Sequence, residues 1–265
     1  MKSVYNYGVA ILLLILASVP LSASKKEFSK TIEKEFPISP NGTTTLSNRY
    51  GAINIKTWER NEVKITVTVK VDSENENRAK SILDAIEVQF ENSSNVVKAT
   101  TVINWTKGGN YKILYEVYMP ATNQLHASMN YGDLRAMEIE GKAVVAVKYG
   151  NFYLQGVGDA SSLELAYGKG TLVKGVDIQS ALSYGEIHLE QIKDVEISSK
   201  YSKVFITKGA DIQAESSYDT YEIGAIKDFR NTGKYDNIKI VQAENIRIIS
   251  KYTHLRLERY SIALI

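Results

Sequence analysis

The chain has 265 residues, 44% of them apolar, and a formal net charge of +2; this suffices for one sizeable core and gives no reason to expect nucleic acid or an acidic membrane as a partner. It contains no cysteine, which excludes disulfides, thiolate metal sites and cysteine nucleophiles. Stability must therefore come from packing and backbone pairing.

Residues 1–23 read as an export signal. Lys2 supplies a positive start, Val9 to Leu16 is uninterrupted apolar sequence, and Leu21-Ser22-Ala23 is a small-residue cleavage site. The apolar run is short for a bilayer span. The reading implies an exported protein in the periplasm, on the outer-membrane surface or outside the cell, with no integral membrane span after signal cleavage.

Residues 24–120 are predicted as N-terminal strands and a cap with an inserted helix. Tyr50-Gly51, followed by Ile53 and Ile55, looks like a first repeat unit interrupted by an insertion. Alternation predicts strands over 63–71, 96–103 and 113–119, with Pro120 ending the last. Ser73 and Glu76 have the spacing of a capping box, and Ala79, Ile82, Leu83 and Ile86 mark one face of a short helix.

From 121 to 265 the chain repeats itself. Tyr131, Tyr149, Tyr167, Tyr184, Tyr201, Tyr218, Tyr235 and Tyr252 are spaced 18, 18 and then 17 residues apart. After each Tyr comes an alternating apolar stretch: Ile187 and Leu189, Val204 with Phe205 and Ile206, Tyr221 and Ile223, Ile238 and Ile240, Leu255 and Leu257. A second pair follows in most units, as in Val195 and Ile197 or Ile246 and Ile248. Two short strands per unit cannot bury their apolar faces alone; stacked units can. A unit of 17 residues is too short for a strand–helix crossover.

The expected fold is therefore all-β: a single-chain parallel β-solenoid (β-helix) of 17–18-residue rungs with an N-terminal β-rich cap containing one short helix. Eight rungs at about 4.8 Å would make a rod of roughly 38 Å, with right-handed coiling the default.

Two columns of residues stand out. The tyrosines form a structural ladder, with half-buried rings stacking and hydroxyls reaching water. Small residues two positions before them (Ser199, Ser216, Gly233, Ser250) indicate a tight corner. Asp159, Asp177, Asp194, Asp211, Asp228 and Asn245 form a turn ladder. Stacked carboxylates could cage calcium, but the glycine-rich pattern of calcium-binding repeats is absent. The alternative is a turn role, with side chains bonded to backbone N–H groups and Lys174, Lys193, Lys208 and Lys227 offsetting the repulsion. The turn role is the reading adopted, with no metal and no cofactor.

Nothing points to catalysis. The turns are short and uniform, leaving little wall for a pocket. His126, His188 and His254 share no motif, and phosphate-loop, nucleophile-elbow and zinc spacings are missing. The last residues, "SIALI", are apolar enough to tuck over the final rung or contact a partner.

The segment "NRYGAINIKTWERNEVKITVTVKV", the helix after it and the Tyr-Gly rungs resemble bacterial putative-adhesin families of unknown function, of the exported Bacteroidetes type. Trp58 and Glu59-Arg60 are its most specific part. The resemblance implies a β-solenoid in or outside the cell envelope and carries over no catalytic residues. Later rungs depart from it, with Tyr201-Ser202, Tyr218-Asp219 and Tyr252-Thr253.

The functional expectation is a non-enzymatic envelope or surface protein binding a protein or glycan through a regular solenoid face. Glu186, His188, Lys203, Glu222, Lys239 and Arg256 are its candidate outward positions. A polysaccharide-active β-helix enzyme and a periplasmic scaffold or signalling component are the alternatives.

Overall fold

The structure, a computed structural model, describes residues 26–104 and 108–260. The expected export signal and the apolar tail at 261–265 lie outside them.

The first rung is the one interrupted by an insertion. Strand β1 spans Lys26–Pro37, β2 Thr43–Trp58 and β3 Glu62–Ser73. Helix α1 (Glu76–Ala85) leads into β4 (Ile86–Asn92), β5 (Val96–Ile103), β6 (Asn110–Pro120) and β7 (Gln124–Ile139). Strand β2 runs parallel to β7, in register from Thr43↔Gln124 to Ile55↔Ala136. Its other edge is taken by β5 and β6. The inserted strands thus cover the unpaired edge that a solenoid must protect at its end.

The helix begins two residues later than a Ser73–Glu76 capping box would place it. Asn75 is the cap, its side chain accepting from the Arg78 N–H at 3.0 Å. Ser73 instead bonds with the Asn75 backbone. Ala79 and Ile82 are buried on the expected face. Ile86 is also buried, but as the first residue of β4.

Beyond β7 the chain winds upward in parallel. Strands β8 (Ala143–Lys148) and β9 (Phe152–Val157) lie on β7; β10 (Ser161–Ala166) and β11 (Lys169–Ser183) follow. Strand β12 (Glu186–Lys200) stacks on β11, and β13 (Lys203–Lys208) and β14 (Asp211–Ser217) stack on β12. The last three are β15 (Thr220–Lys234), β16 (Asn237–Lys251) and β17 (His254–Tyr260). The fold is a parallel β-solenoid, as the Tyr repeat predicts, with one short helix among the described residues.

The core is a set of in-register columns. Ile187, Val204, Tyr221 and Ile238 form one, and Leu189, Ile206, Ile223 and Ile240 another; all are buried. On the far side Ile178, Val195, Ile212 and Phe229 do the same. Each such burial contributes about 1.5–3 kcal/mol, repeated rung after rung. Phe205, which the alternation groups with Val204, points outward and stacks on His188, ring centroids 4.5 Å apart.

Candidate functional site

The Tyr column is the corner of every rung. Tyr50, Tyr131, Tyr149, Tyr167, Tyr184, Tyr201, Tyr218, Tyr235 and Tyr252 all have φ between 51° and 60°. That left-handed conformation costs a non-glycine residue about 1–2 kcal/mol. The chain tolerates the cost nine times because each ring meets its neighbours. Successive rings are stacked with centroids 4.8–5.2 Å apart and interplanar angles of 1–17°, each pair contributing about 0.5–1.5 kcal/mol. The corner backbone is bonded too: the Tyr184 N–H donates to Lys200 O at 3.1 Å and Glu186 N–H to Gly168 O at 2.9 Å.

From Tyr131 to Tyr235 these residues are 43–50% exposed. Their faces are spent on one another, so the ladder offers solvent only ring edges. Sugar rings cannot stack on it except at an end. At the cap end Tyr111 closes the stack edge-on against Tyr50, centroids 5.7 Å apart. At the other end Tyr252 is 79% exposed.

The residue after the Tyr changes character where the rung shortens. A Cβ on Gly150 would collide with the Gly132 carbonyl oxygen, and one on Gly168 with that of Gly150. Glycine stands there for close approach between rungs. At Gly185 the nearest atoms are Leu182 Cδ1 at 3.0 Å and Gly168 O at 3.1 Å. The next rungs then carry Ser202, Asp219, Asp236 and Thr253 at this place. In the longer rungs side chains bridge the corner instead, Asp133 Oδ1 accepting from Asn151 N–H and Asn151 Oδ1 from Lys169 N–H, both at 3.0 Å.

The same change of rung length bears on Asp159. Val157 pairs with Gly175, but Ser161 pairs with Ile178, a step shorter by one position. The extra residue sits between them, at the turn that holds Asp159. Asp159 caps its own turn, Oδ1 accepting from Ala160 N–H at 2.7 Å. Asp177, Asp194, Asp211, Asp228 and Asn245 stack in register, but not in turns as expected: they lie within β11, β12, β15 and β16, and Asp211 opens β14. Asn245 Nδ2 donates to Asp228 Oδ1 at 2.6 Å, and Lys193 Nζ lies 3.3 Å from Asp194. The hydrogen bond with Asp228 pushes the Asp211 carboxyl above its ordinary range, while Asn245 holds Asp228 below it. Among the described residues no group of three or more His, Asp or Glu is placed to hold a metal.

A polar network lies buried behind the ladder, and in the sequence its members are visible only as small or odd residues. Asp219 and Asp236 are each 3% exposed. Asp219 accepts from Ser202 N–H at 2.6 Å, Ser217 N–H at 2.9 Å and Ser199 Oγ at 2.8 Å. Ser199 Oγ also meets the buried Tyr221 hydroxyl at 2.6 Å. Asp236 accepts from Asp219 N–H and Ser216 Oγ, both at 2.9 Å. Burial raises the Asp219 carboxyl and the Tyr221 phenol above their ordinary ranges. Asp219, Asp236 and Tyr221 are buried, and their hydrogen bonds brace the corner. Their one sequence signal is a carboxylate where earlier rungs carry glycine.

The six outward candidates fall into two columns. Glu186 and Lys203 share one with Lys169, Thr220, Asn237 and His254; His188, Glu222, Lys239 and Arg256 share the next with Phe205. Glu186 accepts from Lys169 Nζ at 2.8 Å and pairs with His188 Nε2 at 2.7 Å. Lys169, then His188, holds its carboxyl down to about 2. Lys239 pairs with Glu258 at 3.2 Å. Of the three histidines, only His188 is engaged in such a pair among the described residues.

These features define a parallel β-solenoid whose outer face is built of in-register side-chain columns. No family model matches the chain, and no curated protein does. Similar solved structures include one described as a putative adhesin from Parabacteroides merdae, with 11% identity, a TM-score of 0.42, and coverage of 87% of this chain and 97% of that one. Another, from Parabacteroides distasonis, is described as a putative lipid binding protein, with 11% identity, a TM-score of 0.48, and coverage of 86% and 97%. A third, described as a putative adhesin from Bacteroides fragilis, has 12% identity, a TM-score of 0.38, and coverage of 88% and 97%. Among the described residues no helix is long and apolar enough to cross a membrane.

Proposed function

We propose that this chain is an exported, non-enzymatic, adhesin-like protein that binds a protein or glycan through a regular face of its solenoid. One observation carries the reading: the outward side chains form continuous columns, in register rung by rung from β11 to β17. Such a rigid repeating surface suits an extended partner, as in other solenoids. The corner's buried carboxylates are engaged with backbone N–H groups and the Ser199 and Ser216 hydroxyls, which leaves the outer face as the place for recognition.

The test is a panel of polysaccharides and envelope proteins offered to the purified chain, read for both binding and turnover. Binding with the polymer left intact is the expected result. Progressive depolymerisation would replace this reading with that of a polysaccharide-active β-helix enzyme.

A further inference from the structure

The residue just before each corner Tyr forms its own outward column: Arg49, Asn130, Lys148, Ala166, Ser183, Lys200, Ser217, Lys234 and Lys251. Five of these nine are cations and none is a carboxylate. All five cations are exposed. Only Lys148 has a carboxylate partner among the described residues, Glu164 at 3.0 Å. Arg49 and Lys200 lie over the rings of Tyr50 and Tyr201, at 5.2 and 5.4 Å from their centroids.

Beside the ladder this column borders an open groove of about 660 Å³, lined in part by Ala181, Ser183, Ser198, Lys200, Ser217 and Lys234. The small side chains leave the sheet surface accessible. Glu215 also lines it and is its acidic member. Lys200 and Lys234 stand two rungs apart, roughly 9.6 Å, with Ser217 between them. The half-exposed Tyr side chains add a row of hydroxyl donors, one at every rung.

We propose that this strip, the Tyr ridge with the Lys200–Lys234–Lys251 column beside it, binds an extended polysaccharide carrying carboxylate or sulfate groups. The inference rests on the binding role proposed above and names its ligand class. A polymer with a regular repeat matches a surface with a regular repeat. Charge complementarity requires it to be anionic; hydroxyl and cation alternate from Ser183 to Lys234, and Lys251 adds a second cation on the next rung. Nucleic acid fits less well, because the ring faces that would stack on bases are already stacked on one another.

The test measures binding of the full chain to polygalacturonate, dextran sulfate, neutral dextran and a single-stranded oligonucleotide at low salt. It uses the wild type, a K200S/K234S/K251S variant and Glu215→Gln. Serine already occupies this column at 183 and 217, and unchanged circular dichroism would verify the fold. Expected is binding of an acidic glycan but not of neutral dextran, weakened by salt. The triple variant should bind at least tenfold more weakly, about 1.4 kcal/mol, and Glu215→Gln more tightly. Undiminished binding by the triple variant, or equal affinity for the oligonucleotide, would overturn the inference. Binding of a neutral glycan or a protein alone would overturn it and leave the general binding role standing. A chain that binds nothing in this panel or among envelope proteins would remove both.

Discussion

Replacing Tyr184 separates the two physical ingredients of the corner. Its ring stacks on Tyr167 and Tyr201, both at 5.1 Å. Tyr184→Ala loses two stacked pairs, about 1–3 kcal/mol together, and still holds a Cβ-bearing residue at φ 52°. Tyr184→Gly loses the same contacts but is free of the left-handed penalty. Glycine in a strand region ordinarily costs about 0.5–1 kcal/mol relative to alanine; here the order should reverse, with glycine more stable by about 1 kcal/mol. Tyr184→Phe should stay near the wild type, since stacking is kept. The assay is urea denaturation of the four proteins, compared by midpoint at a common m-value. In melting temperature the gap between Gly and Ala should be about 2–4 °C. An alanine variant as stable as the glycine variant would refute the claim that the Tyr column sits in a strained conformation held by stacking.

The glycine after the Tyr should matter in the longer rungs only. Gly168→Ala must displace the Gly150 carbonyl and should cost about 1–3 kcal/mol or more, whereas Gly185→Ser should cost less than roughly 1.5 kcal/mol; equal losses in thermal melts would contradict the two-corner account. Asp219 binds its proton more tightly folded than unfolded, so its contribution grows as pH falls from neutral toward the ordinary aspartate value of 3.8. The stability of the wild type relative to Asp219→Asn should therefore increase between pH 7 and pH 4 in urea melts, and parallel curves would contradict the assignment. A chelator should leave the melting temperature unchanged if the stacked aspartates are structural residues of the strands. A drop reversed by calcium would make them ligands.

The architecture is legible in the sequence because the signal repeats. A Tyr at a nearly constant spacing, with alternation on both sides of it, leaves few folds available. The first rung at Tyr50 is recognisable across its long insertion because Ile53 and Ile55 repeat the pattern. Strand β1 carries no such signal, since Lys30 and Lys34 occupy the same alternation phase as Phe28, Ile32 and Phe36. The structure places the Lys30 Nζ against the Leu83 and Ile86 carbonyls at 3.4 Å, beside the end of α1. A charged residue there serves backbone that sequence alone does not bring near.

Of the candidate site, columns can be counted from the sequence but not oriented. Spacing places the tyrosines and most of the aspartates, while the shortening of the rung puts Asp159 at the break in register. The left-handed Tyr backbone has no sequence signal, because tyrosine is not a residue that favours it. The buried Asp219 and Asp236 contradict the usual preference of carboxylates for the surface. The backbone N–H groups of the stacked corners, together with the Ser199 and Ser216 hydroxyls, make that location tolerable.

The central claim, an exported protein that presents a solenoid face to a partner, is tested most directly by protease accessibility in the native host. Intact and lysed cells would be treated in parallel and the chain followed by immunoblot. Cleavage on intact cells is the result predicted for an adhesin-like surface role. Protection until the envelope is broken would contradict it and move the partner inside the envelope.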